Sequence, residues 1–458
     1  MGINRSFDRR AFMRGTAAAA AAVPLSGLLG STSVFAQDAA NPFGVADGST
    51  VDTVIFNGGF GIDYVQFAAD IMQKNHPSVK VAVNSSTKIA TEVQPRFIGG
   101  NPPDMLDDSG ADFIGWLSIV DQLEDLQSVF DAPNLEGVKI RDTLFGGVEG
   151  PGTFNGKFVA INYAMTVYAL WYSKSLFEAN GWTPPTTWPE AMALGAKAKE
   201  KNIYLFGWGK EAATYYLTTC IDSAIKEGGD EVRLALDNIQ PGCWSLPAVQ
   251  AVFKALGDII AAGYMKPGGS GTQFTAAQAQ WSNDESWLLY PSGGWIENEM
   301  KSATKDGFVM TGMPELTVTD SPKMPKTAIR ASASEGFCVP SAALNVPGGK
   351  ELLRTMLSKE AATNFVKTKL APSIVKDLVP ADGFGSSALV SQNTMLAGAG
   401  PNVFNWGFVD NYGFNQDMLV PWNSFLDGKL DVAGLTSALQ TITDAAYNDS
   451  SITKIVVK

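Results

Sequence analysis

The stretch VDTVIFNGGFGIDYVQFAADIMQKNHPSVKVAV, residues 51–83, decides the fold class. Val51 to Asn57 is an apolar run rich in β-branched residues, and it ends in Gly58-Gly59-Phe60-Gly61, a loop with little side-chain bulk. Ile62, Val65, Ala69 and Met72 then recur at helical spacing until Asn75-His76-Pro77 stops the helix. From Val79 to Val83 apolar and polar residues alternate, as in a second strand. Strand, helix and strand in immediate succession predict an α/β protein with parallel strands and helices on the sheet faces. In such sheets ligands sit beyond the carboxyl ends of strands, so the loops that follow strands become the places to look for function.

Working outward, Gly99 to Ser109 runs from a turn into a short strand with an acidic end, which puts Asp107, Asp108 and Ser109 at a ligand position. Phe113, Trp116, Leu117, Val120 and Leu123 form an apolar stripe that reads as a helix, with Trp116 assigned to the core. Phe158 to Asn162 and Val167 to Tyr172 read as two strands joined by a bend, followed by a helix from Lys174 to Asn180 closed by Gly181. Thr187-Trp188-Pro189-Glu190 has the spacing of a capping box and opens a helix to about Lys201. Ile203 to Phe206 ends at Gly207-Trp208-Gly209-Lys210-Glu211, where an indole between two glycines reads as a surface residue open to a ligand. Later segments repeat this grammar. An apolar strand from Trp287 ends at Gly293-Gly294-Trp295, Ser334 to Pro340 is a polar turn into a strand, and Asn405-Trp406-Gly407-Phe408 is an aromatic loop. Asp431 starts a C-terminal helix with Val432, Leu435, Leu439 and Ile442 on one face.

Composition narrows the chemistry. The chain has 458 residues, one histidine, three cysteines and a formal charge of -12. That length suits two or three domains. The negative charge argues against nucleic acid as a partner. His76 lies in a polar turn and reads as a solvated helix-end residue, so neither a Ser-His-Asp triad nor a multi-histidine metal site can be assembled. No G-x-G-x-x-G, G-x-x-x-x-G-K-[ST] or spaced acidic calcium loop is present, so neither cofactor nor metal is expected. Cys220, Cys243 and Cys338 permit three pairings or three buried thiols. What remains is a set of strand-end aromatics beside carboxylates: Phe60, Asp107, Asp108, Trp208, Glu211, Trp295, Glu335 and Trp406. Such a set suits a carbohydrate, whose C–H faces pack on aromatic rings and whose hydroxyls need fixed polar partners. Two carboxylates about 5–10 Å apart would also serve a glycoside hydrolase, so that reading stays open.

The first 36 residues follow a separate logic. Arg9-Arg10, Phe12 and Arg14 precede a short, weakly apolar run from Gly15 to Leu29, and Val34-Phe35-Ala36 supplies a small-residue cleavage pattern before Gln37. This segment resembles a twin-arginine export signal. With four Arg and one Asp it contributes +3, so cleavage leaves a chain near -12 - 3 = -15. No cysteine stands at the expected cleavage site for a lipid anchor, and residues 37–48 read as a flexible lead-in.

Beyond these readings the chain resembles the carbohydrate-binding family of ABC-transporter extracellular solute-binding proteins. The resemblance rests on Asn101-Pro102-Pro103-Asp104, on Val167 through Tyr172-Ser173-Lys174-Ser175-Leu176-Phe177 to Gly181-Trp182-Thr183-Pro184-Pro185-Thr186-Thr187-Trp188, on Gly293-Gly294-Trp295, and on Glu335 to Pro340. Within the family it is most similar to N-acetylglucosamine and diacetylchitobiose binders, by its export signal and the wording around Trp171, Trp208 and Trp406. One departure is Ser173, where the family commonly has asparagine. The resemblance implies two hinge-linked α/β lobes with a ligand cleft between them, lobe one from 49–164 plus 313–370 and lobe two from 165–312 plus 371–458. It implies a monomeric, non-enzymatic periplasmic receptor that takes N-acetylglucosamine or short chitin oligosaccharides to an ABC permease; receptors for another oligosaccharide or a polyol are the alternative. The implied ligand residues are Trp295 as stacking platform, Asp108, Trp208 and Glu211, then Phe60, Glu335 and Trp406.

Overall fold

The computed structural model describes residues 40–458 apart from Gly59, Ala111, Thr453 and Lys458. The export segment and most of the lead-in lie outside the described residues. β1 (Thr50–Phe56) pairs in parallel with β2 (Lys80–Ser86) from Thr50↔Lys80 to Phe56↔Ser86. The helix Asp63–Asn75 between them buries Tyr64, Val65, Ala68, Ala69, Ile71 and Met72 on the sheet. The strand-helix-strand unit is therefore as its periodicity predicts, with β2 reaching three residues further. β3 (Met105–Asp107) lies parallel to β1 on its other side and ends at the acidic segment.

After a small hairpin, β4 (Thr153–Phe154) with β5 (Lys157–Phe158), the chain enters β6 (Ile161–Ser173), thirteen residues long. β7 (Tyr204–Phe206), β8 (Trp287–Gly293), β9 (Met310–Met313), β10 (Ile329–Cys338) and β11 (Val403–Phe404) complete the sheet. Its order is β2-β1-β3-β10-β6-β8-β7, with β11 on β10 and β9 on β6. The first half of β6 pairs with β10 from Ile161↔Phe337 to Val167↔Ala331, and the second half pairs with β8 and β9. These two long antiparallel strands thus join the β1–β3 half of the molecule to the β7–β9 half.

Three apolar clusters hold the fold. One lies around Val65, Phe337, Leu352 and Phe365 and extends to Trp281 and Tyr290. A second gathers Leu170, Trp188, Phe206, Tyr216, Phe253 and Trp422 in the β7–β8 half. A third, smaller, covers the opposite face of β1 and β3 with Ile89, Val93, Leu106 and Cys338. All three cysteines are buried free thiols. Local signals behave as read: Thr187 and Glu190 form the capping box of the helix Trp188–Lys199, Gly181 closes Lys174–Asn180 at φ 64°, and Asp431 caps Val432–Asn448. Ser173 accepts the Leu176 N–H at 3.1 Å, so it performs as an N-cap what an asparagine there would do.

Several expectations are corrected. The stripe 113–123 yields only a four-residue helix, Trp116–Ile119, and one 3₁₀ turn, because Gly115 and the turn at Val120–Gln122 break the period. Segments 158–162 and 167–172 belong mainly to one strand, and Ser334–Cys338 lies inside β10 rather than in a turn. His76 is not solvated: its Nε2 lies 3.4 Å from Glu351, which pairs with Arg354 at 2.6 Å. Residues 314–326 lie against the β7–β8 half, with a Thr187↔Thr317 bridge and with Lys226 donating to the Glu315 and Lys326 carbonyls. β10 then reaches the β1–β3 half, where Phe337 and Cys338 pair with Asp107 and Leu106.

Candidate functional site

The carboxyl end of β8 builds one wall. A Cβ at Gly293 would sit 2.0 Å from the Trp295 ring, and one at Gly294 would sit 2.0 Å from Gln392 Oε1. The glycine pair therefore lets Trp295 fold back over the strand end while the helix bearing Gln392 closes from behind. Trp295 is half-buried and meets Tyr168 and Tyr215 edge to face, at centroid distances of 5.9 and 6.3 Å. These rings and Trp406 line a cavity of about 220 Å³.

The floor of that cavity is charged. Arg330, on β10 and 5% exposed, lies between two rings, 3.8 Å from the Trp406 centroid and 4.0 Å from that of Tyr168. Its Nε donates to Asn405 at 3.1 Å, and Trp406 Nε1 donates to Asp222 at 2.6 Å. Trp406 thus has both its ring face and its N–H engaged within the protein. Burial pushes the Asp222 carboxyl up to about 6 against the pull of Arg330, and it pushes the Lys226 ammonium down to about 8. Glu315, also on this cavity, is driven well above the usual carboxylate range by burial and then by Asp222.

The end of β3 presents acids. Asp107 is fully buried, accepts from Ser109 Oγ at 2.5 Å, and has its carboxyl raised by burial and then by Glu335. Asp108 accepts the Ile114 N–H at 2.7 Å and is pushed up to about 7 by burial. Glu335 is half-buried, has φ 60° within β10 and is likewise pushed up to about 7 by burial. Its neighbour Gly336 gives its N–H to Ser109 at 2.9 Å and its carbonyl to Asp108 at 2.8 Å, so β3 and β10 hold the three acids together. Trp116, assigned to the core by its spacing, is half-buried and lies over Gly336, where a Cβ would come within 2.6 Å of its ring.

Of the seven expected residues, Trp295 and Trp406 line one cavity, while Asp108 and Glu335 gather at the end of β3, outside its lining. Phe60 packs edge-on against Phe365 at 5.2 Å beside the β1–β3 core. Trp208 is not the exposed residue that its flanking glycines suggest, whereas Glu211 is exposed on the loop after β7. Trp208 is 2% exposed, packed over Gly269, with its N–H donated to Asn423 at 3.1 Å. Glu211 accepts the Phe274 N–H at 3.0 Å, where it serves the start of the helix Phe274–Ser282. A larger cavity, about 400 Å³, opens beside Trp208, Tyr204 and Lys199 at the edge strand β7. It carries neither Trp295 nor Arg330, whereas the smaller cavity carries both, so the smaller cavity is the candidate site. Tyr168, Tyr215 and Arg330 went unnoticed in the sequence. Only Arg330 carried a signal, as a lone charge in the small-residue strand Ile329–Ser334.

Two halves joined by the paired strands β6 and β10, with an aromatic cavity at the end of β8, fit the architecture of a two-lobed solute receptor. A probable secreted solute-binding lipoprotein from Streptomyces coelicolor superposes with TM-score 0.70 at 15% identity, covering 87% of this chain and 98% of that one. A chitin oligosaccharide binding protein superposes with TM-score 0.65 at 16% identity, covering 86% and 98%. Residues 61–363 match the bacterial extracellular solute-binding protein family, and this chain belongs to it. The diacetylchitobiose binding protein NgcE of Streptomyces coelicolor is 57% identical over 99% of this chain and 98% of its own length. The family is one of binding proteins, and the glycoside hydrolase reading is set aside.

Proposed function

We propose that this protein is the sugar receptor of an ABC importer and binds diacetylchitobiose, or short N-acetylglucosamine oligosaccharides, without converting them. The observation that carries this reading is the 57% identity, sustained over 99% of the chain, to a diacetylchitobiose binding protein. The site agrees with it. Trp295 offers a half-buried ring face on a cavity also lined by Tyr168, Tyr215 and Arg330.

In this reading lobe one comprises 49–164 and the chain from β10 to 370, and lobe two the remainder. The export segment directs the chain through the twin-arginine machinery, and the mature protein begins at Gln37 and works as a monomer against its permease. Mass spectrometry of the secreted protein checks that N-terminus.

Titration with N-acetylglucosamine, diacetylchitobiose, maltose and xylose, followed by tryptophan fluorescence, tests the ligand. A saturable response to the chitin sugars is expected, and flat traces for both would sink the proposal. Trp295→Ala should weaken binding by about 2 kcal/mol, close to thirtyfold in Kd, through loss of the apolar platform.

A further inference from the structure

The cavity beneath Trp295 holds two polar groups that the fold leaves unused. Glu315 and Ser292 line it and are 2% and 6% exposed, yet Glu315 Oε2 and Ser292 Oγ make no hydrogen bond. Among the described residues, no other buried polar atom without a partner belongs to a residue lining this cavity. The nearby cation does not serve the carboxyl group. Lys226 donates to the backbone carbonyls of Glu315 and Lys326, at 2.5 and 2.7 Å, and leaves Oε2 alone.

A buried polar group left unpaired costs about 1–3 kcal/mol, and an apolar residue of the same size would avoid that cost. Native proteins retain few such groups. Two on the lining of one cavity, below a half-buried tryptophan, are accounted for when a ligand supplies the missing hydrogen bonds. The cavity volume of about 220 Å³ falls below the roughly 300–1,000 Å³ of common small-molecule sites and suits one pyranose ring.

We propose that Glu315 and Ser292 form an inner polar subsite that hydrogen-bonds the hydroxyl and amide rim of a single terminal sugar ring while Trp295 covers its face. This rests on the sugar-receptor reading and deepens it. The remaining rings leave the subsite towards Asp108, Glu335 and Trp116. The pair acts on selectivity, because a ligand lacking matching groups would leave both buried atoms unpaired.

The test is calorimetric titration of diacetylchitobiose into the wild type, Glu315→Leu, Glu315→Gln and Ser292→Ala, with a melting curve for each. Glu315→Leu should raise Kd about thirtyfold at an unchanged or higher Tm, Glu315→Gln should stay within about fivefold, and Ser292→Ala should lose about fivefold. A purely structural Glu315 would instead lower Tm and leave Kd alone. Wild-type affinity in Glu315→Leu overturns the proposal. Should that variant fail to fold, Ser292→Ala decides, and wild-type affinity there overturns it equally. Absence of any response from the wild type to chitin sugars refutes the ligand assignment and not the subsite. The same four proteins, titrated with whichever sugar a thermal-shift panel then identifies, settle the subsite.

Discussion

Asp108 shows how one residue serves the fold and registers pH together. Its Oδ1 holds the Ile114 N–H at 2.7 Å, its Oδ2 has no partner, and burial pushes its carboxyl up to about 7. A carboxyl raised in the folded state binds its proton more tightly there than in the unfolded chain, where its pKa is about 3.9. Its contribution to stability is thus fully present below about pH 4 and is lost as pH rises through about 7. Asp108→Asn keeps an acceptor for Ile114 and removes the titration, so Tm should change less between pH 5 and pH 8 than in the wild type. Melting curves over that range check it, and a pH dependence parallel to the wild type's counts against it. Glu335, raised to about 7, retains a share of the slope in the variant. The same scale explains the misplacement of Trp208. Its flanking glycines admit protein and not ligand: a Cβ at Gly207 would meet Trp287 at 2.6 Å, and one at Gly209 would meet the Phe274 backbone at 2.4 Å. A sequence displays the glycines but not what fills the space beside them.

At the scale of elements, the end of β8 makes a sharp prediction. Gly293→Ala would place a methyl group 2.0 Å from the Trp295 ring. The half-buried ring would have to swing outward, so sugar affinity should fall about tenfold or more, equivalent to about 1.4 kcal/mol, while Tm moves little. Calorimetry beside a melting curve separates the two effects; affinity unchanged from the wild type would show that Trp295 does not cover the ligand. Elements with their own local code were legible in the sequence: the strand-helix-strand of 51–83, the capping box at Thr187, the cap at Asp431. The crossing strands were not. β6 is buried almost throughout, so its pattern has no alternation to mark where one partner strand yields to the next. β10 contains Glu335 at φ 60°, and its polar run Ser334-Glu335-Gly336 mimics a turn. The site suffered likewise: Trp295 followed from the glycine pair, whereas Tyr168 comes from the middle of a strand and Tyr215 from the first turn of the helix Thr214–Gly228, and both are recruited by packing alone.

For the whole molecule, the two shared strands predict motion. β10 pairs with β3 of one half, β6 pairs with β8 and β9 of the other, and the two pair with each other, so a change of twist near Val167 and Ala331 reorients one half against the other without breaking either core. Saturating sugar should reduce the radius of gyration measured by small-angle X-ray scattering, with Trp295→Ala unchanged at the same sugar concentration. Identical scattering of the wild type with and without ligand would exclude closure.

The placement of Arg330 and Glu335 on a single strand also constrains how such a receptor diversifies. They stand five positions apart on β10, in a ladder that also pairs Ser334 with Ala164 and Gly336 with Asn162. Inserting or deleting one residue between them would turn every later side chain of β10 to the opposite face. Substitutions along this segment are therefore open to natural selection, and length changes are closed. New cargo preferences arise more readily in the loops after β3 and β8, whose lengths no ladder fixes, while the strand beneath them is inherited as a fixed ruler.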